Sequence, residues 1–169
     1  HKIFRMDWLH ISDLGVAADF IGNFFHAVLQ FLPGENKDER CANLYLEILA
    51  YYEAHGVSDR FDCMQPVFFE PRDGPYKLRG SAAKIRALVP FVWQLAQEIL
   101  DINVPTLAAM SHAAFHLNEV YSALSSDHAD ACASMREHGI KFAIQYVGLH
   151  DFLNPADDKA WRIKPKLHL

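Results

Sequence analysis

Apolar side chains recur three or four residues apart along most of this chain, and this spacing predicts about five helices. One turn of an α-helix takes 3.6 residues, so such a spacing gives each helix one face that can pack on a core. The five apolar patterns cover residues 14–29, 42–52, 85–99, 107–124 and 132–149. We expect them to pack into a single helical domain, or a fragment of a larger chain, that spans residues 1–169.

Capping residues and a proline mark where the predicted helices begin, end or bend. Ser12 or Asp13 is available as the N-cap of the first helix, and Ser81 can cap the third. Gly56 follows the second helix, where a glycine commonly ends one. Pro90 is expected to kink the third helix or to begin a new segment, because proline lacks a backbone N–H.

Three segments do not fit a helical pattern. Residues 57–80 contain "QPVFFEPRDGPYKLRG", whose prolines and glycines predict an ordered loop with one short strand at "VFF". The ends of the chain, "HKIFRM" and "AWRIKPKLHL", predict one or two short terminal strands. The predicted fold class is therefore mainly α.

Composition narrows the range of functions. The net charge is −5, so the mean field of the chain does not attract a polyanion and any contact with nucleic acid must be local. Three widely spaced cysteines argue against a disulfide framework and a structural zinc site, and favour an intracellular, reducing compartment. Polar residues such as His26 and Gln94 interrupt the apolar runs, so we expect no membrane insertion. Because the first residue is His1, we also expect an internal piece of a longer protein.

The first candidate site is the pair Asp7 and His10 in "MDWLHISDLGV", where an extended segment is expected to lead into a helix. Residues three apart share a helix face, so Asp7 could orient the imidazole of His10, or both could approach a metal ion. The alternative is a helix-entry aspartate beside a hydrogen-bonded histidine, which is the commoner arrangement for this spacing alone.

A second candidate site lies in "SHAAFHLNE". His112 and His116 are four residues apart and Glu119 follows three later, so the three side chains share one helix face and could chelate a transition metal. They lie away from the apolar face of the same helix. A polar face in water is therefore the favoured alternative, and the order of residues differs from the HExxH pattern of zinc hydrolases.

Two basic phrases form a third candidate, a surface for nucleic acid. Clustered cations can contact phosphates, and a nearby aromatic side chain can stack on a base. Ordinary solvated surface is the alternative. The cations are Lys77, Arg79, Lys84 and Arg86 in the first phrase, and Lys159, Arg162, Lys164 and Lys166 around Trp161 in the second.

Three phrases of the sequence resemble CACTA-type (En/Spm-like) DNA transposases. "MDWLHISDLGVAADFIGNFFHAVL" is similar to the DxxH element of that family and the helix it opens. "KLRGSAAKIRALVPFVWQLA" resembles a Lys-rich turn that leads into a leucine-proline-apolar helix, and "RIKPKLHL" resembles a Pro-Lys-x-His segment before the next core element. The three phrases occur in the family's order and are spread over most of the chain.

The resemblance implies part of an RNase H-like α/β core of the DDE type, which cuts and rejoins DNA with carboxylate-bound Mg²⁺ or Mn²⁺. Two such metals lie about 4 Å apart, activate water and stabilise the leaving oxygen. By position, Asp7 and His10 match an element beside that catalytic centre. The resemblance places a first catalytic Asp upstream of His1 and a catalytic Glu downstream of Leu169, so we expect this chain alone to be inactive.

Three functions remain open from the sequence. The first is a transposase-derived helical fragment that braces a DNA strand-transfer core in the nucleus. The second is a non-catalytic helical interaction subunit of a larger assembly, which suits the acidic net charge and the many aromatic residues. The third is a small metal-binding helical protein centred on His112, His116 and Glu119.

Overall fold

The computed structural model describes residues 9–126 and 129–163, with side chains from residue 12 onward. Five α-helices make up most of this part of the chain, which confirms the predicted mainly α architecture and the helix count. They are α1 (Ala18–Val28), α2 (Lys37–His55), α3 (Ala82–Ile99), α4 (Pro105–Leu124) and α5 (Ala131–Leu153). A π-helix, Leu9–Ala17, leads without interruption into α1.

The predicted strands are not found in the described residues. The "VFF" segment is wrong as a strand, because Val67 and Phe68 lie in a 3₁₀ turn, Pro66–Phe68, and Phe69 follows it in a turn. Residues 160–163 of the second terminal segment form a turn and irregular backbone, not a strand. The rest of that segment and all of "HKIFRM" lie outside the described residues.

Local capping chemistry explains where α3 begins and where α2 ends. Ser81 caps α3 by accepting a hydrogen bond from the backbone N–H of Lys84 at 3.4 Å, and Gly56 ends α2 in the left-handed conformation with φ 61°. Pro90 lies within α3, which continues past it. The N-cap prediction for Ser12 or Asp13 is wrong, since both residues lie inside the π-helix Leu9–Ala17, where Asp13 is buried.

Helix α1 lies at the centre of the fold. Almost every residue of α1 is buried, and its aromatic side chains contact the elements that surround it. Phe20 packs against Phe142 of α5 with ring centroids 5.5 Å apart, and Phe25 packs against Phe91 of α3 at 6.4 Å. Helices α4 and α5 pack along each other more extensively than any other pair of elements. The core is thus assembled around one helix.

The Pro/Gly-rich segment 57–80 is ordered because its backbone finds partners. Its end crosses α1 at Gly22, where a Cβ atom would lie only 2.5 Å from the backbone N of Leu78 and from Cα of Lys77. The N–H of Leu78 donates to the carbonyl oxygen of Ala18 at 2.8 Å. Glycine permits this close approach because it has no side chain.

The run Ser12–Phe31 is the one helix in the described residues that is long and apolar enough to cross a membrane by length and composition. This helical run is longer than the apolar stretches indicated by the sequence. About two thirds of the most apolar part of this run is buried inside the folded chain. A core helix of this kind passes the same test, so the run is weak evidence for a membrane span.

Candidate functional site

A buried charge network joins the π-helix to α3 and α4. The carboxylate of Asp13 is fully buried, pairs with the guanidinium of Arg86 on α3, and accepts a hydrogen bond from the hydroxyl of Tyr121 on α4 at 2.5 Å. An ionised group inside a protein requires such partners, because burial removes its hydration. The network therefore fixes the π-helix against two other helices.

The protonation of the two partners favours this arrangement. The hydrogen bond to Asp13 is the main reason that the pKa of Arg86 is raised. Burial is the main reason that the pKa of Tyr121 is raised, and its hydrogen bond to Asp13 acts in the same direction. Arg86 consequently stays charged and Tyr121 stays a proton donor at neutral pH.

The predicted DxxH pair lies immediately before this network. Asp7 lies outside the described residues, and His10 is placed only by its backbone, within the π-helix Leu9–Ala17. A π-helix is rare and is frequently found at functional sites. The network at Asp13 thus anchors the π-helix that contains His10, while the arrangement of the pair itself remains a prediction.

A second set of contacts holds the basic turn onto the first helical segment. Lys77 donates from Nζ to the carbonyl oxygen of Leu14 at 2.5 Å, and its Nζ lies 3.6 Å from a carboxylate oxygen of Asp19. Asp19 is buried, whereas Lys77 is half-buried. Lys77 is therefore bound to other residues of the chain.

Asn23 connects α1 to the end of the described chain. Its Oδ1 accepts a hydrogen bond from the backbone N–H of Trp161 at 2.5 Å, and its Nδ2 donates to the carbonyl oxygen of Asp19 at 2.7 Å. The Trp161 ring is buried against Phe20 and Tyr146, with centroids 5.7 and 5.6 Å apart. Trp161 has a φ of 52°, a conformation that costs about 1–2 kcal/mol for a non-glycine residue and is held here by packing.

These contacts bring together the three phrases that carry the transposase resemblance. Residues 12–29 of the first phrase receive Lys77, Leu78 and Arg86 from the second phrase, at the positions described above. The third phrase begins at Arg162, directly after Trp161, whose backbone is bound to Asn23. Segments that are far apart in sequence therefore meet around α1.

A separate polar cluster surrounds His26, near the other end of α1. Nδ1 of His26 lies 2.6 Å from Oε1 of Glu70, and Oε2 of Glu70 accepts from Nζ of Lys37 at 2.6 Å. The His26 ring stacks on Tyr76 at 3.9 Å, and Nε2 of His26 lies 4.0 Å from Asp157. Tyr76 also donates to Asp157 at 2.8 Å. The cluster joins α1, the start of α2, the long loop and the turn after α5.

The cluster borders an open cleft of about 360 Å³. A His–Glu pair can act as a general base when one imidazole nitrogen is free to reach a substrate. Here one ring nitrogen of His26 contacts Glu70 and the other faces the carboxylate of Asp157, while Tyr76 covers the ring. This arrangement favours a stabilising ion cluster over a catalytic base.

Replacing Glu70 with glutamine is expected to lower the free energy of unfolding by about 1–2 kcal/mol at pH 7, because two charge-assisted contacts are lost. Burial disfavours the charged form of Glu70, but the bonds from His26 and Lys37 outweigh it and lower the pKa of its carboxyl below the ordinary 4.5. The unfolded chain then binds more protons than the folded chain in acid. The difference in the free energy of unfolding between the original chain and Glu70→Gln should therefore have its full size above pH 4.5. It should shrink as the pH falls through the lowered pKa of Glu70.

Urea unfolding followed by circular dichroism between pH 3 and pH 7 measures this difference. The control is Glu53→Gln, which removes an ion pair with Arg60 from a side chain that is 73% exposed. Exposed pairs contribute little, so the control should change stability by less than about 0.5 kcal/mol. A pH-independent loss in Glu70→Gln would contradict the assignment of the lowered pKa to Glu70.

Half of the predicted nucleic-acid-binding cations have partners within the fold. Lys84 contacts a carboxylate oxygen of Asp62 at 3.3 Å and lies over the Phe61 ring, and Lys159 donates to the carbonyl oxygen of Arg72 at 2.9 Å. The contacts of Lys77 and Arg86 are described above. The residues with partners are Lys77, Lys84, Arg86 and Lys159.

The remaining cations are candidates for an external contact. Arg79 and Arg162 are exposed, and each lies next to a segment that packs on α1. Lys164 and Lys166 lie outside the described residues. Among the eight predicted cations, Arg79 and Arg162 are thus the described ones where a phosphate could bind without breaking a contact named above.

The three side chains predicted to chelate a metal on α4 do not point to one place. His112 is exposed, whereas His116 turns toward α5 and its Nδ1 lies 3.0 Å from Nδ1 of His138. Across residues 9–126 and 129–163, no three His, Cys, Asp or Glu side chains form a group that could hold a metal ion. His112, His116 and Glu119 therefore do not assemble as the chelate that their spacing suggested.

Sequence reasoning missed the structural roles of Asp13, His26 and Glu70. Asp13 was considered only as a cap, and His26 only as a polar interruption of an apolar run. One signal was present for Asp13: it precedes Ala17 by four residues and Phe20 by seven, so it is in phase with the buried face. No local signal could identify Glu70, which lies 44 residues from His26.

Comparison with known proteins gave no relative: no family model, curated protein or solved structure matches the chain.

Proposed function

We propose that this chain is the helical part of a CACTA-type DNA transposase core, where it braces the catalytic strands and does not itself hold the complete catalytic centre. The observation that supports the proposal is the meeting of the three resembling phrases around α1. Arg86 of the second phrase binds Asp13 of the first, and the third phrase begins beside Asn23. Phrases that serve one site in a family are expected to lie close together in the fold.

The bracing role is supported by where the fold is rigid. The segment after Asp7 and His10 is tied to α3 and α4 through a fully buried carboxylate. Such an anchor fixes the π-helix Leu9–Ala17 against α3 and α4, and a site that positions DNA or metal requires this kind of support. If the parent protein uses Mg²⁺ or Mn²⁺, the carboxylates that bind the metals would come largely from other segments of that protein.

DNA binding tests this proposal directly. We expect the chain to bind a 30-base-pair duplex weakly at 50 mM KCl and about tenfold more weakly at 200 mM, since a few phosphate contacts are involved. Arg79→Gln and Arg162→Gln should each reduce the affinity and flatten the salt dependence. Fluorescence anisotropy measures both quantities, with Arg136→Gln on the exposed side of α5 as the matched control.

Three results would contradict the proposal. Robust DNA strand cleavage by this chain with Mg²⁺ or Mn²⁺, lost in Asp7→Ala, would mean that it is a whole enzyme and not a bracing part. Absence of DNA binding even at low salt would exclude the proposed nucleic-acid-binding surface. An equal loss of affinity in Arg136→Gln would show that binding reflects overall charge and not the proposed positions.

A second candidate function, a non-catalytic interaction subunit, is favoured by α5. Its inner face is buried through Phe142, Tyr146 and Leu149. Its outer face exposes apolar side chains, and the exposed fractions are 53% for Ile140, 63% for Ile144, 41% for Val147 and 76% for Phe152. Ile140, Ile144 and Val147 follow the i, i+4, i+7 spacing of a helix face that packs against a partner. Partner binding that persists at high salt would support this function over the DNA-binding one, because apolar interfaces are insensitive to salt.

A further inference from the structure

A histidine pair bridges α4 and α5, the two helices with the most extensive contact in the fold. His116 and His138 are 22 residues apart in sequence, and their Nδ1 atoms lie 3.0 Å apart with the two rings inclined at 55°. Both side chains are half-buried. Without a metal, one Nδ1 carries a proton and donates it in a hydrogen bond to the other.

The spacing of the two nitrogens fits one class of metal ion. A metal bound to two imidazole nitrogens at about 2.1 Å holds them about 3.0 Å apart when the angle at the metal is near 90°. A tetrahedral angle would require about 3.4 Å. The separation of the two nitrogens therefore matches square-planar and octahedral ions such as Cu²⁺ and Ni²⁺, whereas tetrahedral Zn²⁺ requires a wider separation.

We propose that His116 and His138 form a two-histidine site for a divalent transition metal with right-angle coordination, Cu²⁺ or Ni²⁺, that clamps α4 to α5. Both Nδ1 atoms donate a lone pair to the metal, and the shared proton moves to Nε2 of its own ring, so no net proton is released. Water completes the coordination. This site goes beyond the proposed DNA-related function and does not depend on it.

The surroundings of the pair support metal binding. Phe115 packs against both histidine rings, at 5.1 Å from His116 and 5.8 Å from His138, and so restricts their orientation. Trp93 of α3 packs behind Phe115 at 5.1 Å. Ordered, partly desolvated ligands lose less freedom on binding than exposed ones.

Charges around the pair both raise and lower the pKa of His116. Burial is the main reason that the pKa of His116 is lowered, followed by His138, Lys141 and His112, whereas Glu119 opposes them. These effects favour the neutral ring of His116, which is the form that binds a metal. Lys141 is held by Glu137 on the same helix at 2.5 Å. Glu119 and Glu137 together offset the positive charge that Lys141 presents to the metal.

Titration of the purified chain with NiCl₂ at pH 7.5 tests the proposal. We expect one bound ion per chain, and a loss of affinity of at least tenfold in His116→Gln and in His138→Gln. His112→Gln is the matched control, because His112 lies one turn from His116 on the same helix but is exposed. The affinity of the His112→Gln variant for Ni²⁺ should be unchanged. Equal losses in all three variants, or none in any, would overturn the site.

A second measurement does not rely on variants that could unfold. Paramagnetic Cu²⁺ broadens the proton resonances of its ligands, so substoichiometric Cu²⁺ should broaden the imidazole signals of His116 and His138 first. The chain contains ten histidines, and the other eight serve as internal controls. Earlier broadening of any other histidine would place the metal elsewhere, and no broadening at one equivalent would leave the pair as a hydrogen bond alone. Either result overturns the proposal.

Discussion

Replacing Arg86 with methionine is expected to lower the free energy of unfolding by about 2–3 kcal/mol. The substitution keeps an apolar stem on α3 but leaves the Tyr121 hydroxyl as the remaining partner of the buried Asp13 carboxylate among the described residues. Removing one member of a fully buried pair costs about 3–5 kcal/mol. We expect a smaller loss, because 49% of the Arg86 side chain is exposed and water can approach from that side.

Urea unfolding of three further variants isolates this ion pair. Arg79→Met, at an exposed arginine on the neighbouring loop, should change stability by less than about 0.5 kcal/mol. Asp13→Asn alone should also destabilise, because Arg86 loses the carboxylate with which it pairs. The double variant Asp13→Asn, Arg86→Met should be more stable than the sum of the two losses predicts, since no uncompensated charge remains. Strict additivity would show that the two residues act independently.

Replacing Gly22 with alanine is expected to lower the free energy of unfolding by about 2 kcal/mol, although alanine is normally the better helix former. The new methyl group would lie 2.5 Å from backbone atoms of Lys77 and Leu78, and backbone cannot turn away as a flexible side chain can. Overpacking of this kind costs about 1–3 kcal/mol. The loop must therefore move off α1 or the hydrogen bond from Leu78 to Ala18 must break.

The chain contains a matched control for this substitution. Gly148 also lies within a helix, α5, but no atom lies within 4 Å of a Cβ built there. Gly148→Ala should therefore raise stability by about 0.5–1 kcal/mol, the ordinary gain in helix propensity. Thermal unfolding of the two variants compares the effects directly. A gain in stability at both positions would mean that the loop does not pack on α1 as described.

Both substitutions act on the contacts that unite the resembling phrases, so they also probe the proposed function. If the fold around α1 positions a DNA-facing surface, Arg86→Met and Gly22→Ala should weaken DNA binding at temperatures where the chain remains folded. Gly148→Ala should leave DNA affinity unchanged, because α5 contributes no residue to the proposed DNA-facing surface.

Helical periodicity predicted the five helices because the information is local. Each apolar pattern repeats over several turns, so the burial of one face decides the conformation regardless of neighbours. The same local reasoning failed at "VFF". Valine and phenylalanine favour strands, but Pro66 begins a tight turn there and Phe69 is buried against Phe25 of α1, with ring centroids 5.8 Å apart. Packing overrode the propensity of three residues.

Charged side chains were harder to interpret, because their roles depend on distant partners. A lysine and an arginine in a basic phrase have the same local signature whether they face water or a buried carboxylate. Arg86 pairs with Asp13 across 73 residues, and His116 meets His138 across 22. Spacing within one helix had instead grouped His116 with His112 and Glu119.

The sequence by itself determined the helical class, the number of helices, the cap at Ser81 and the helix-ending glycine at position 56, all of which depend on residues within a few positions. Only the tertiary structure decided that Asp13 is a buried anchor, that the loop crosses α1 at Gly22, and that four of the eight cations in the two basic phrases have partners within the fold. The physical reason is that hydrogen bonds and ion pairs act over a few ångströms in space. Folding brings together the residues that form these bonds and ion pairs. The number of residues between two partners therefore does not predict their contact.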